Sequence, residues 1–128
     1  MEATSGKENL KGYRELVVWQ KGLELVEEIY RLGNEFPREE LYSLKSQIQR
    51  AAISVPSNIA EGQARGHNPI EFARFLKIAL GSLAEVDTQL ELAKRLGYLS
   101  GEKAKSADDL IAEVRRMLYG LINSLSSR

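Results

Sequence analysis

The segment SLKSQIQRAAISVPSNIAEGQARG, residues 43–66, decides the fold of this chain. Its apolar side chains recur every three or four residues, which is the spacing of one face of an α-helix. The pattern continues past Pro56, although a proline inside a helix removes one backbone hydrogen bond and crowds the carbonyl four residues earlier. Two outcomes are open, a kinked continuous helix or two helices that meet at a break. Since Ile59 stays in phase with Val55, we favour one kinked helix over about residues 39–64.

Three other segments carry the same periodicity. Asn68 followed by Pro69 is a strong start signal, since asparagine caps a helix and proline suits its first position. Ser100 is the expected cap of the last helix. Residues 1–12 lack periodicity and are interpreted as a flexible tail. The pattern predicts an all-α, antiparallel, up-down four-helix bundle over residues 13–126, with helices at about 14–35, 39–64, 69–96 and 101–125.

Helix 1 carries two apolar stripes rather than the single stripe that is usual for a bundle helix. In one interpretation both stripes pack against neighbouring helices of the same chain. In the other, one stripe faces the core and the second faces another subunit. The first stripe is Leu16, Trp19, Leu23, Val26, Tyr30 and Gly33. The second, which we predict as an oligomer interface, is Val18, Leu25, Ile29, Leu32 and Phe36.

Small residues on the outward side of helix 3 also favour an oligomer. An exposed glycine inside a helix costs up to about 1 kcal/mol relative to alanine. Close approach of a helix from another subunit would explain Gly81. We therefore add Gly81 and Ala84 to the predicted interface.

Composition excludes several kinds of site. The chain has no cysteine and one histidine, so thiolate sites, histidine clusters and a serine–histidine–carboxylate set are excluded. No glycine-rich phosphate loop follows a strand. We therefore predict no catalytic residue, no metal site and no cofactor. The sequence also lacks an apolar run long enough for a membrane span and an apolar signal-peptide core, so we expect a cytoplasmic protein without membrane contact.

The chain is neutral overall, with 18 basic and 18 acidic residues, so any basic face must be local. Residues 41–84 hold five basic and two acidic residues. This excess is either a site for phosphates of RNA or DNA or an ordinary solvated helix pair. The candidates for nucleic-acid binding are Lys45, Arg50, Arg65, Arg74 and Lys77.

Two segments carry a family resemblance, SVPSNIAEG at residues 54–62 and ALGSLAE at residues 79–85. With them, the chain over about residues 13–125 resembles the four-helix-bundle proteins encoded in intervening sequences of bacterial 23S rRNA. That family is in turn similar to the accessory variability determinant of diversity-generating retroelements. The resemblance implies a homopentameric ring without known enzymatic activity. For the retroelement relative it also implies binding to a reverse transcriptase and to nucleic acid through a basic surface.

These observations together predict a non-catalytic oligomeric scaffold, most simply a homopentamer, with weak RNA or DNA affinity on the face of helices 2 and 3. The alternative is a protein-binding adaptor, for example a reverse-transcriptase accessory protein, that recruits its partner through the ring surface.

Overall fold

The computed structural model describes residues 12–66 and 68–126 of the chain. Helix α1 spans Val17–Gly33, α2 spans Leu44–Ala64, α3 spans Pro69–Arg95 and α4 spans Gly101–Ser126. Short 3-10 turns at Gly12–Glu15 and Arg38–Glu40 precede α1 and α2. The expectation of four helices without a strand is confirmed over these residues. The predicted tail before Gly12 lies outside the described residues.

The helices surround one apolar core. Each helix contacts the next along the chain, and α1 also contacts α4. Fully buried leucine, isoleucine and valine side chains come from all four helices. In the last turns of α4 the buried residues are Leu118, Ile122 and Leu125, whereas Leu121 is only partly buried. None of the helices in the described part of the chain is both long and apolar enough to cross a membrane.

The start signals of α3 and α4 work as the sequence predicts. The Asn68 side-chain oxygen accepts hydrogen bonds from the backbone N–H groups of Ile70 and Glu71, at 2.9 and 3.2 Å. Ser100 Oγ accepts one from the backbone N–H of Lys103 at 3.1 Å. These bonds satisfy N–H groups that have no partner within the helix.

Helix α2 differs from the prediction at its start but not in its course. It begins at Leu44, later than residue 39, and Glu40 lies in the 3-10 turn that precedes it. One Glu40 carboxylate oxygen accepts from the Leu44 backbone N–H at 3.1 Å, and the other accepts from the Tyr98 hydroxyl at 2.7 Å. The helix then runs without a break through Pro56, as the phase of Ile59 predicts.

Candidate functional site

Polar side chains of residues 54–62 are used inside the chain for packing between α2 and α3. The hydroxyl groups of Ser54 and Ser82 lie 2.7 Å apart. The Asn58 side-chain amide donates to the Ser54 carbonyl at 2.8 Å and to Ser54 Oγ at 2.9 Å. Ser82 is buried, so this network satisfies polar groups that would otherwise lose contact with water. These side chains therefore hold two helices together.

Two glycines let the helices come close on either side of this network. A β-carbon on Gly22 of α1 would lie 3.3 Å from Pro56 Cβ, so α1 passes directly over the proline. A β-carbon on Gly62 would lie only 2.6 Å from Phe75 Cβ of α3, a distance that a real side chain cannot adopt. Pro56 and Gly62 thus lie where α2 packs closely against α1 and α3.

The five basic candidates do not form one patch. Arg65 and Arg74 meet at the end of α2 and the start of α3, where their guanidinium groups lie 5.1 and 4.6 Å from the ring centre of Phe75. Each is also paired with a carboxylate, Arg65 with Glu61 at 3.2 Å and Arg74 with Glu71 at 2.8 Å. The bond to Arg74 lowers the pKa of Glu71 and raises that of Arg74. Their positive charge is largely balanced locally.

The charges of the other three candidates are not balanced by a neighbouring carboxylate in the described part of the chain. Arg50 and Lys77 are exposed, and Lys45 is half-buried beside Gly33. Among the described residues, none of the three has a carboxylate within ion-pair distance. Lys45 and Arg65 stand at opposite ends of α2, which separates them by about 30 Å at 1.5 Å per residue. These cations are close together in the sequence, but the fold distributes them along α2 and α3.

The predicted interface stripe of α1 is corrected by the structure. All five of its residues are buried in the core of the chain itself: Val18, Leu25, Ile29, Leu32 and Phe36. The reason is the position of Gly22 and Gly33, which bring α2 against this side of α1. These side chains are therefore occupied within one chain and are not available to another subunit.

The other stripe of α1 is partly exposed, apart from the buried Gly33 at its end, and it forms an apolar groove with α2. Leu23 is 38% exposed, Tyr30 45% and, across the groove on α2, Ile53 42%. A shallow cavity of about 300 Å³ lies between the two helices, lined in part by Tyr13, Trp19, Leu23, Val26, Ile53 and Ala60. We call this surface the α1–α2 groove. The sequence shows that this stripe is apolar, but periodicity alone does not show which of the two stripes of α1 is exposed.

A second surface with exposed large apolar side chains lies on α3, where the charged Glu85 stands among them, and these apolar side chains are not among the sequence candidates. Ile78, Leu92 and Leu96 are 42%, 44% and 51% exposed. Between the first two, Gly81 and Ala84 border a depression of about 240 Å³, and a β-carbon on Gly81 would meet no atom within 4 Å. The predicted interface residues Gly81 and Ala84 are thus both exposed. We call Ile78, Gly81, Ala84, Leu92 and Leu96 the α3 surface.

The titratable groups with shifted pKa values in the described residues are held by hydrogen bonds. The two carboxylates with shifted pKa values, Glu40 and Glu71, are both shifted downward, first by hydrogen bonds from Tyr98 and Arg74. A general acid at neutral pH requires the opposite shift. No group of three or more histidine, aspartate or glutamate side chains in the described residues is arranged to hold a metal ion.

The family model of the 23S rRNA-intervening sequence protein matches residues 14–120. The chain belongs to this family. Its fold is similar to the crystal structure of a protein of unknown function from the S23 ribosomal protein family of Bacteroides thetaiotaomicron. The TM-score is 0.74 at 27% sequence identity, over 82% of this chain and 97% of the other. No curated protein matches the chain.

For this member of the 23S rRNA-intervening sequence family, the match covers α1 to α3 and most of α4. The segments SVPSNIAEG and ALGSLAE both lie within it, at the contact of α2 with α3. The residues that carry the resemblance are therefore the packing network and its flanking glycines. Family membership agrees with the observed fold. The descriptions of the family and of the similar crystal structure name no catalytic activity.

Proposed function

We propose that the protein is a non-catalytic scaffold of the cytoplasm, an up-down antiparallel four-helix bundle that associates with further copies of itself into a homopentamer. The α1–α2 groove supports the proposal most directly. Monomeric proteins rarely leave a continuous row of large apolar side chains in contact with water, and such surfaces mark interaction sites.

The groove has the composition of an interface centre. Trp19, Tyr13 and Tyr30 supply aromatic side chains, which are enriched at the core of protein–protein contacts. Tyr13 and Trp19 also pack on each other, with ring centres 5.3 Å apart, which gives one end of the groove a fixed shape. A fixed shape reduces the conformational entropy lost on association.

Light scattering or sedimentation velocity at micromolar concentration tests the assembly. The wild-type chain is expected to have five times the mass of one copy, and the double variant Leu23→Glu with Ile53→Glu is expected to be monomeric. The matched control is Tyr119→Glu, which places the same charge on an exposed aromatic position of α4. Circular dichroism checks that each variant keeps its helices. A monomeric wild-type chain would contradict the proposal.

A second proposed function, weak binding of RNA or DNA, is supported by one observation. Arg50 and Lys77 are exposed, and no described carboxylate lies within ion-pair distance of either. A cation that contacts phosphate releases counterions, so affinity falls with salt. By the same reasoning Arg74, already bound to Glu71, contributes less.

The salt dependence of binding to a short RNA and a short DNA tests this second function. Arg50→Ala with Lys77→Ala is expected to flatten the plot of log affinity against log salt by about 0.7–0.9 per lost contact. Arg74→Ala serves as the paired control with a smaller change. If the slope is the same in wild type and double variant, these residues do not bind phosphate.

The alternative role as a protein-binding adaptor makes a different prediction for the groove. If the wild-type chain and the groove double variant both form the same assembly, the groove is free in the assembly. It would then be the surface that recruits another protein, such as a reverse transcriptase.

A further inference from the structure

Helix α4 has an outer side that neither the core nor the apolar surfaces described above include. Tyr119 is 53% exposed, and the exposed Arg116 and Asn123 lie about one turn from it on either side. Among the described residues, no side chain forms a hydrogen bond or an ion pair with Arg116 or with the Tyr119 hydroxyl. A β-carbon on Gly120 would meet no atom within 4 Å, so space is open beside the tyrosine ring. Helix α4 therefore presents an unpartnered aromatic ring beside a cation and an amide.

Two ion pairs between α3 and α4 fix how these helices lie side by side. They are Lys94 with Asp108 at 2.7 Å and Asp87 with Arg115 at 3.1 Å. Seven residues towards the start of α3 therefore correspond to seven residues towards the end of α4. One further step of seven places Leu80 level with Ile122. Lys77 is exposed one turn from Leu80, and Asn123 follows Ile122, so Lys77 and Asn123 lie at neighbouring levels of the two helices.

The outer side of this helix pair carries an excess of positive charge. We call it the α3–α4 face and define it by four exposed residues, Lys77, Arg116, Tyr119 and Asn123. Residues 114–128 contain three arginines and no acidic residue. The neighbouring carboxylates Asp87 and Glu113 are already in ion pairs with cations. Glu85 is exposed, but it lies about 80° further round α3 than Lys77, on the side away from α4. Lys77 and Arg116 are thus free to hold an anion.

From this arrangement we infer that the α3–α4 face binds a single strand of RNA or DNA. The inference rests on the nucleic-acid binding proposed above and identifies the site and the form of the ligand. A base stacks on the exposed side of the Tyr119 ring, since every base has a flat π surface. Arg116 and Lys77 bind the phosphates on either side of that base. The Asn123 amide can both donate to and accept from the edge of the base.

The tyrosine ring selects a single strand over a duplex. In a duplex the bases are paired and stacked on one another, so a side chain on a convex helix surface reaches only phosphate and sugar. A free strand can turn one base towards the ring, and such stacking tolerates any base. Arg116 and Asn123 lie about 10 Å apart along α4, which spans one nucleotide with the phosphates on both of its sides.

Fluorescence anisotropy with three labelled probes tests the inference. The probes are an oligouridine and an oligothymidine of about 10 nucleotides and an RNA duplex of the same length. The first two distinguish RNA from DNA as the ligand, and wild type is expected to bind the duplex more weakly. Tyr119→Ala is expected to weaken single-strand binding about fivefold or more without changing its salt dependence, whereas Tyr119→Phe keeps the affinity. Arg116→Ala is expected to flatten the plot of log affinity against log salt by about 0.7.

Two exposed residues in the turn before α2 supply matched controls. Tyr42→Ala removes a tyrosine that is 92% exposed, and Arg38→Ala removes an exposed arginine. Both control variants are expected to bind all three probes like wild type. Circular dichroism checks the fold of each variant. Light scattering checks that Tyr119→Ala keeps the mass of wild type, so that a change in assembly does not contribute to the affinity.

The possible outcomes separate this inference from the proposed function. If Tyr119→Ala binds single strands as tightly as Tyr42→Ala, the α3–α4 face is overturned but nucleic-acid binding stands. Equal affinity of wild type for duplex and single strand overturns the stacking on Tyr119. Displacement of the oligouridine by polyglutamate as readily as by unlabelled oligouridine also overturns it, and indicates an acidic protein as the partner. A wild-type chain that binds none of the probes at low salt overturns the nucleic-acid binding itself.

Discussion

Gly62 and Gly81 both lie in the interior of long helices, but their surroundings are opposite. A β-carbon on Gly62 would lie 2.6 Å from Phe75 Cβ, whereas one on Gly81 would meet no atom within 4 Å. The first glycine is required because another helix of the same chain is too close for a side chain. No contact inside the chain requires the second glycine, although glycine is unfavourable in a helix. The comparison distinguishes helix sides that pack against another helix of the same chain from sides that remain exposed.

The two apolar stripes of α1 repeat the comparison with larger residues. Leu25 is fully buried, and Leu23, two positions earlier, is 38% exposed. The same residue type therefore stabilises the core at one position and is available for association at the other. Four predictions test this division, in order of decreasing effect.

The largest effect is expected for Leu25→Ala. Removal of a fully buried leucine leaves a cavity and costs about 2–5 kcal/mol of unfolding free energy. Leu23→Ala is the matched control and is expected to cost less than about 1 kcal/mol, because much of its side chain already contacts water. Urea unfolding measures both in an Ile53→Glu background, at a concentration where light scattering gives the mass of one copy, so that assembly does not contribute. Equal losses would show that the two stripes are not divided between core and surface.

The two glycines are expected to respond in opposite directions. Gly62→Ala forces α2 and α3 apart, and overpacking of this kind costs about 1–3 kcal/mol. Gly81→Ala adds a methyl group in open space and is expected to stabilise the single chain by up to about 1 kcal/mol. Thermal unfolding is measured in the background of the groove double variant, so that assembly does not contribute. A destabilised Gly81→Ala chain would contradict the open surface.

A smaller effect is expected at the polar network between α2 and α3. Ser82→Ala removes the hydroxyl group that lies 2.7 Å from Ser54 Oγ, at a cost of about 0.5–1.5 kcal/mol. Ser57→Ala, on the exposed side of α2, is the control and is expected to change stability by less than about 0.5 kcal/mol. Chemical unfolding compares the two. A larger loss of stability for Ser82→Ala would show that polar residues at the contact of α2 with α3 stabilise the packing of these helices, as the apolar residues do.

The smallest effect is expected for Tyr98→Phe, and it depends on pH. The hydrogen bond from Tyr98 lowers the pKa of Glu40, so its contribution to stability is lost as pH falls through the lowered value. The same bond raises the pKa of Tyr98, so its contribution is lost as pH rises through the raised value. The stability difference between wild type and Tyr98→Phe is therefore expected to be largest between about pH 5 and 9. A difference that is constant from pH 3 to 9 would rule out this cause.

Local signals in the sequence predict much of the fold. Asn68 and Ser100 start α3 and α4 as expected, because their caps involve backbone groups only two or three residues away. The start of α2 is different. It depends on Glu40, whose partner Tyr98 lies 58 residues further along the chain, and such a contact leaves no local pattern.

The candidate surfaces are harder to predict for the same reason. Both stripes of α1 have helical spacing, and only the contact of Gly22 with Pro56 decides which of them is covered by α2. The basic residues are equally ambiguous in sequence, since Arg74 is bound to Glu71 while Arg50 is not bound to a described carboxylate. Ile78 and Leu92 stand out only once the buried side of α3 is known. Periodicity counts apolar residues, whereas burial depends on the neighbouring helix.

Pro56 has a consequence for the dynamics of α2. Because proline has no N–H group, the carbonyl of Ala52 receives no helical hydrogen bond from it. The ladder of α2 is weakest at the level where Gly22 brings α1 closest. Protection of the α2 amides against hydrogen exchange on either side of Pro56 therefore depends on the docking of α1 as well as on the bonds of α2 itself. Local opening of the molecule is expected to begin where these two helices separate.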